Sequence, residues 1–204
     1  MKSISMLAWT LALALLPGTG RAAAGDAAAT TDADTARAQT AMADLGQSLR
    51  TALQAKIAQD GAVAAVAFCH ERAPLIAAEV ATKHGVRVGR TSIKQRSPAN
   101  APSDWQREVL DGFAAEIAHG KDAATLSHRS DDGQTLRVAK ALKVEAPCLA
   151  CHGPKDAIAP AVAKAIAAAY PEDLATGFRE GDLRGLIWAE VERAAQPVQP
   201  LESK

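Results

Sequence analysis

The 204-residue sequence lacks any apolar run of the about 20 residues that a bilayer-spanning helix needs, which argues against a membrane span. It also lacks a basic tract: 23 Lys and Arg are matched by 23 Asp and Glu. No nucleic-acid partner is expected on that balance, and nothing suggests an acidic substrate. There is no internal repeat. Methionine is scarce, at Met1, Met6 and Met42, and cysteine is confined to Cys69, Cys148 and Cys151. Both scarcities bear on the chemistry below.

Residues 1–24, "MKSISMLAWTLALALLPGTGRAAA", place Lys2 before a short apolar core. Pro17, Gly18 and Gly20 close that core, and small residues follow. This pattern predicts a secretory signal peptide cut after Ala24. No cysteine stands there to support a lipoprotein anchor. The remaining 180 residues, with 21 basic and 23 acidic side chains, suit a single domain. The expectation is a soluble periplasmic or otherwise secreted protein. In such an oxidising compartment an odd cysteine count needs an explanation.

Residues 25–35, "GDAAATTDADT", are small and polar and read as a flexible leader. From 36 to 59, Met42, Leu45, Leu49, Leu53 and Ile57 recur every three or four residues, one apolar stripe on a helix. That stripe suits a core or a homodimer contact. Residues 61–85 have helical composition, with Pro74 predicting a kink or a fresh start and Gly85 a stop. A strand is expected over 86–92, and an amphipathic helix over 104–120, capped by Ser103 or Asp104. Strands at 124–130 and 134–144 flank the turn signal "DDG" and predict a hairpin. A helix over 159–171 and a strand around Leu186–Val191 complete an α+β chain with an antiparallel sheet, followed by a loose tail over 193–204.

The chemistry concentrates in "VEAPCLACHGPK", residues 144–155. A thiol–disulfide exchange pair would need a thioredoxin-like βαβ setting, which the surroundings do not provide. A zinc site would need a second ligand pair of familiar spacing, and none is present. Covalent haem uses every residue of the motif. Cys148 and Cys151 add across two vinyl groups, and His152 lies beneath the iron as an axial ligand. Its second nitrogen should donate to a carbonyl. Export fits thioether attachment. The motif therefore predicts one covalent haem c.

The second axial ligand is open. Methionine is nearly excluded, because only Met42 survives signal removal and it sits in a helical stripe. His84 and His119 stand beside helix-ending glycines, and His128 lies on an edge strand. Cys69 and His70 remain, as does an open or water-bound position. The two point about 100 degrees apart on a helix, so at most one faces the iron. Cys69 is the thiol that lacks a purpose, although a buried cysteine acting as a small hydrophobe is the commoner fate. A thiolate ligand would favour ferric iron and a low potential, and could leave on reduction.

Four separated stretches, "AVAFCHERAPLIA", "VGRTSIKQRSPANAP", "APCLACHG" and "YPEDLATGFREGDLRGLI", resemble the single-haem c-type family with a PAS-like fold, long catalogued as a domain of unknown function. The resemblance runs in the family's order over roughly residues 40–190. It implies a PAS-like antiparallel sheet flanked by helices, with His152 as proximal ligand and Cys69 as distal ligand. Arg90 and Arg96, in the second stretch, could face the haem propionates, since their forked donors suit carboxylates. Ordinary solvent exposure explains either arginine equally well. Gly177, Gly181 and Gly185 read as turn or close-approach positions, and Arg184 as a salt-bridge partner of Asp173 or Asp182. The family occurs both as free cytochromes and as sensor modules. No output domain is recognisable here, which favours a free carrier or a soluble detector.

The sequence thus points first to a one-electron carrier with a low-potential His/Cys-ligated haem and an unidentified redox partner. A redox or diatomic-gas sensor acting through a signalling partner is the alternative. A peroxidase-like enzyme follows only if the distal site is open and His70 serves as its acid–base group.

Overall fold

The structure, a computed structural model, describes residues 22–193, with side chains from residue 31. Of the expected signal peptide (1–24), residues 1–21 lie outside the described residues and 22–24 open the first helix; of the expected tail (193–204), residues from 194 lie outside them. Helix α1 (Ala22–His84) leads into strand β1 (Arg87–Thr91). Helix α2 (Asp104–Ala118) is followed by β2 (Ser127–Asp131) and β3 (Thr135–Lys143). A single turn, α3 (Leu149–His152), precedes α4 (Pro160–Ala169) and β4 (Leu183–Glu192). The sheet order is β1-β4-β3-β2, antiparallel throughout. This is the α+β, PAS-like arrangement expected from the sequence, with the hairpin and the last strand in place.

Helix α1 is two limbs, broken at Gly61, whose backbone (φ 80°, ψ 173°) is not helical. A left-handed φ favours glycine, which has no Cβ to collide with its own backbone. The second limb folds back along the first: Asp44 accepts hydrogen bonds from Lys83 and His84, both at 2.8 Å. The two limbs together cover one face of the sheet. Ala38, Met42, Leu45, Ile76 and Val80 pack on Val88, Leu136, Val138, Ile187, Ala189 and Val191. Helix α2 covers the opposite face through Val109, Leu110 and Phe113, against Ala139, Ala141 and Leu186. The alternation along β3 and β4 divides the strands between these two cores. At the start of α2 the backbone N–H of Ser103 donates to the Gln106 side chain at 3.0 Å.

Two expectations change. Pro74 neither kinks nor restarts the helix; it lies within the second limb, and the break is at Gly61. Proline removes one N–H from the helix, and packing of Ile76 and Val80 in the core outweighs that loss. Residues 25–35 are not a flexible leader: they lie inside α1. Alanine-rich composition favours helix, and the buried Asp34 accepts from Arg193, which also reaches Thr31. The stripe over 36–59, read as suiting a core or a homodimer contact, lies largely in the core. Met42 and Leu45 are core residues and Leu49 packs beside them, while Ile57 stays exposed.

Candidate functional site

Strand β3 ends at Lys143, and the chain turns at once into a 3-10 turn, Ala146–Cys148, and then α3. Pro147 suits the first turn of such a helical run, where an N–H is not needed. Cys148 and Cys151 are three residues apart on one helical turn and so share a face. Both are free, half-buried thiols. Cys148 packs beside Val144, Ala175 and Phe178, and Cys151 beside Val66, Ile158 and Tyr170. The motif thus bridges the end of β3 to the second limb of α1 and to α4. Gly153 is required by close approach, since a Cβ there would lie 2.7 Å from the Leu149 carbonyl oxygen.

A clasp, residues 173–178, holds the motif from the other side. Gly177 N–H donates to the Gly153 carbonyl at 2.8 Å and Phe178 N–H to the His152 carbonyl at 3.0 Å. Leu174 N–H donates to Gln95 O, so the clasp also grips the loop after β1. Gly177 (φ 77°) takes the left-handed turn that lets the clasp fold over. The carbonyl of Ala175 accepts from His152 Nδ1 at 2.7 Å. A carbonyl can only accept, so Nδ1 carries the proton and Nε2 keeps its lone pair. Burial, with the Arg184 and Arg96 charges, holds the His152 pKa down to about 3, against the opposing effect of the Ala175 contact. His152 is a neutral imidazole with one free ligating nitrogen, and its ring meets Phe178 edge-on at 6.4 Å.

Cys69 lies on the second limb of α1, within electrostatic reach of Arg90, Cys151 and Arg96. Burial pushes its thiol pKa up, while Arg90 and Arg96 pull it down. His70 instead packs edge-on against Tyr170, with ring centroids 4.9 Å apart. The structure therefore brings Cys69 together with the motif and turns His70 to the Tyr170 ring. His84 and His119 act elsewhere: His84 contacts Asp44, and His119 Nδ1 donates to the Ala115 carbonyl at 2.7 Å.

The arginines divide. Arg96 is a brace. Its Nε donates to Asp173 at 3.0 Å, and its Nη2 donates to the carbonyls of Cys151 and Ala175 at 2.6 and 3.2 Å. With both partners largely buried, this guanidinium ties the motif to the clasp. The Arg90 side chain makes no ion pair or hydrogen bond among the described residues; it is exposed, with Cys69 and Tyr170 within electrostatic reach. Arg184, expected to pair with Asp173 or Asp182, pairs with neither. Its Nη1 donates to the Lys94 carbonyl at 3.1 Å, and its guanidinium lies 5.1 Å from the Phe178 ring centre. Sequence reasoning missed it as a site residue, although it stands in the "EGDLRG" run that supplies the turn glycine Gly181 and the close-approach glycine Gly185.

A family model matches residues 26–191, that of the Tll0287-like proteins. The chain belongs to the Tll0287-like family. A solved structure, that of the cyanobacterial heme-protein Tll0287, is similar to it with a TM-score of 0.52 and 28% identity, over 63% of this chain and 74% of that one. No curated protein matches the sequence. Both the motif and the clasp of this Tll0287-like chain fall inside the matched residues. Among the described residues no helix is long and apolar enough to cross a membrane.

Proposed function

We propose that this Tll0287-like chain is a periplasmic c-type haem protein that passes single electrons. Cys148 and Cys151 would hold the group covalently, His152 would be the proximal ligand and Cys69 the distal one. The observation that carries the reading is the His152 imidazole: neutral, with Nδ1 committed to the Ala175 carbonyl, on the same turn as two free thiols. Family membership and the heme-protein Tll0287 support the cofactor. When bound, the group supplies a one-electron iron couple. The protein's residues supply the rest. The Ala175 carbonyl orients the imidazole and raises its basicity. Arg96 and Asp173 fix the clasp, and apolar clusters pack against Cys148 and Cys151 on either side. No three His, Cys, Asp or Glu side chains gather into a metal-binding group among the described residues, which weighs against zinc.

The test is Cys69→Ser in correctly matured protein. The pyridine haemochrome spectrum and intact mass should show attached haem in both forms. Low-temperature electron paramagnetic resonance of the parent should show low-spin ferric haem with thiolate character. The variant should lose that character, and its midpoint potential should rise, because an anionic donor favours ferric iron. An unchanged spectrum and potential would remove Cys69 from the ligand set. A bare peptide mass would end the haem reading.

A sensor acting through a partner protein is the second reading. It is favoured by one feature: Cys69 sits on the folded-back limb of the longest helix, so release of this ligand would act directly on that limb. Tight carbon monoxide or nitric oxide binding by the ferrous form would select this reading. A high-spin ferric spectrum would instead select peroxidase-like chemistry.

A further inference from the structure

Two guanidinium groups in the site have no acid to pair with. Among the described residues Arg90 and Arg184 form no ion pair. The nearby Asp173 is engaged by Arg96. Burial and the charges of Arg96 and Arg90 bring the Arg184 pKa down to about 10. Arg184 is half-buried and Arg90 exposed, so two unpaired like charges stand beside the site, and an anion between them would relieve their mutual repulsion.

Backbone geometry puts both on one face. Along β1, Val88 packs into the α1 core; Arg90, two residues on, points the same way. On β4 the strand register slips opposite Leu142 and Lys143. Leu183 and Leu186, three residues apart, consequently both pack on the α2 side, which leaves Arg184 aimed at the α1 side. Bulges commonly re-aim a side chain in this way. The slip depends on Gly185, where a Cβ would collide with the Thr91 carbonyl oxygen. The Ser92 hydroxyl donates to the Arg184 carbonyl at 2.7 Å and locks the strand position. The side chain is set by the Lys94 carbonyl and the Phe178 face, and Phe178 in turn meets His152.

From this arrangement we infer that Arg90 and Arg184 form a carboxylate-binding pair that takes the haem propionates, with Arg96 acting as a brace and not as a propionate ligand. The inference rests on the haem reading. It assigns the pre-set cations to the two acidic groups of the cofactor, and forked guanidinium donors match a carboxylate.

The experiment uses the matured holoprotein and four variants: Arg90→Met, Arg184→Met, Arg184→Lys, and Arg179→Met as an exposed control. Pyridine haemochrome spectra first establish attachment in each. Resonance Raman then reads the propionate bending bands, and redox titration reads the midpoint potential. Both methionine variants should shift the bands and lower the midpoint, since a cation that offsets the acidic groups is lost. Arg184→Lys should recover part of each shift, and Arg179→Met should match the parent. Attached haem with unshifted propionate bands in either methionine variant overturns the pairing and leaves the haem reading standing. Absence of haem from the parent overturns both.

Discussion

Gly185 and Gly112 show how the same substitution can act in opposite directions. At Gly185 an added methyl group meets the Thr91 backbone, which cannot move aside without opening the β1–β4 pairing. Gly185→Ala should destabilise the fold by about 1–3 kcal/mol, the usual range for overpacking. Gly112 is exposed within α2 and has open space around its missing Cβ. Gly112→Ala should therefore stabilise by about 0.5–1 kcal/mol, through helix entropy alone. Urea denaturation of both variants against the parent checks the sign of each. At this scale the Cys-x-x-Cys-His motif was plain in the sequence, because Cys148, Cys151 and His152 lie within five residues of one another. It said little about Arg184. The direction of that side chain depends on a register slip between strands about 40 residues apart in the chain. Arg96 was visible as a candidate site residue, but its partners Asp173 and the Cys151 and Ala175 carbonyls converge only in the folded chain.

The elements with a clear local period were read well from the sequence. Helix α2 and the β2–β3 hairpin stand within a few residues of their expected bounds, because apolar spacing and a turn signal define them without help from elsewhere. Helix α1 was harder. Proline is a strong local breaker, yet the limb containing Pro74 is held by Ile76 and Val80 against the sheet. The reversal sits instead at Gly61, in the Asp60-Gly61 step between the two helical stretches read at 36–59 and 61–85. Two variants test this architecture. Leu45→Ala removes a fully buried side chain from the α1–sheet core and should destabilise by about 2–5 kcal/mol. Gly61→Val meets no steric neighbour, so its destabilisation should come from φ strain alone, about 1–3 kcal/mol. Urea or thermal unfolding followed by circular dichroism measures both. No effect at Gly61 would contradict the folded-back arrangement.

Across the whole molecule, carboxylates join segments that are distant in sequence. Asp44 ties the two limbs of α1 through Lys83 and His84, and its pKa is held down to about 2, chiefly by those two hydrogen bonds. Asp122 and Asp132 are also depressed, mainly by backbone N–H donors at Ala124 and Thr135. A carboxylate with a depressed folded pKa adds stability above its unfolded pKa and loses it as the pH falls through the folded value. Asp44 therefore contributes fully above about pH 4, and its contribution fades towards pH 2. Unfolding free energy should fall over that window, and Asp44→Asn should flatten part of the slope. An identical acid profile in the variant would show that Asp44 does not stabilise the pairing of the limbs.

The clasp over residues 173–178 has a consequence for the order of events in biogenesis. A ribosome delivers the N-terminus first. Cys69, Arg96 and the paired thiols therefore all emerge before the strap that closes over them. Until Ala175 and Phe178 arrive, the imidazole of His152 has no carbonyl to align it and both sulfurs stand open. Between the emergence of residue 152 and that of residue 175 the motif stands unlatched; on the proposed reading, that interval is when haem attachment would meet an open site, before Ala175 and Phe178 close over it.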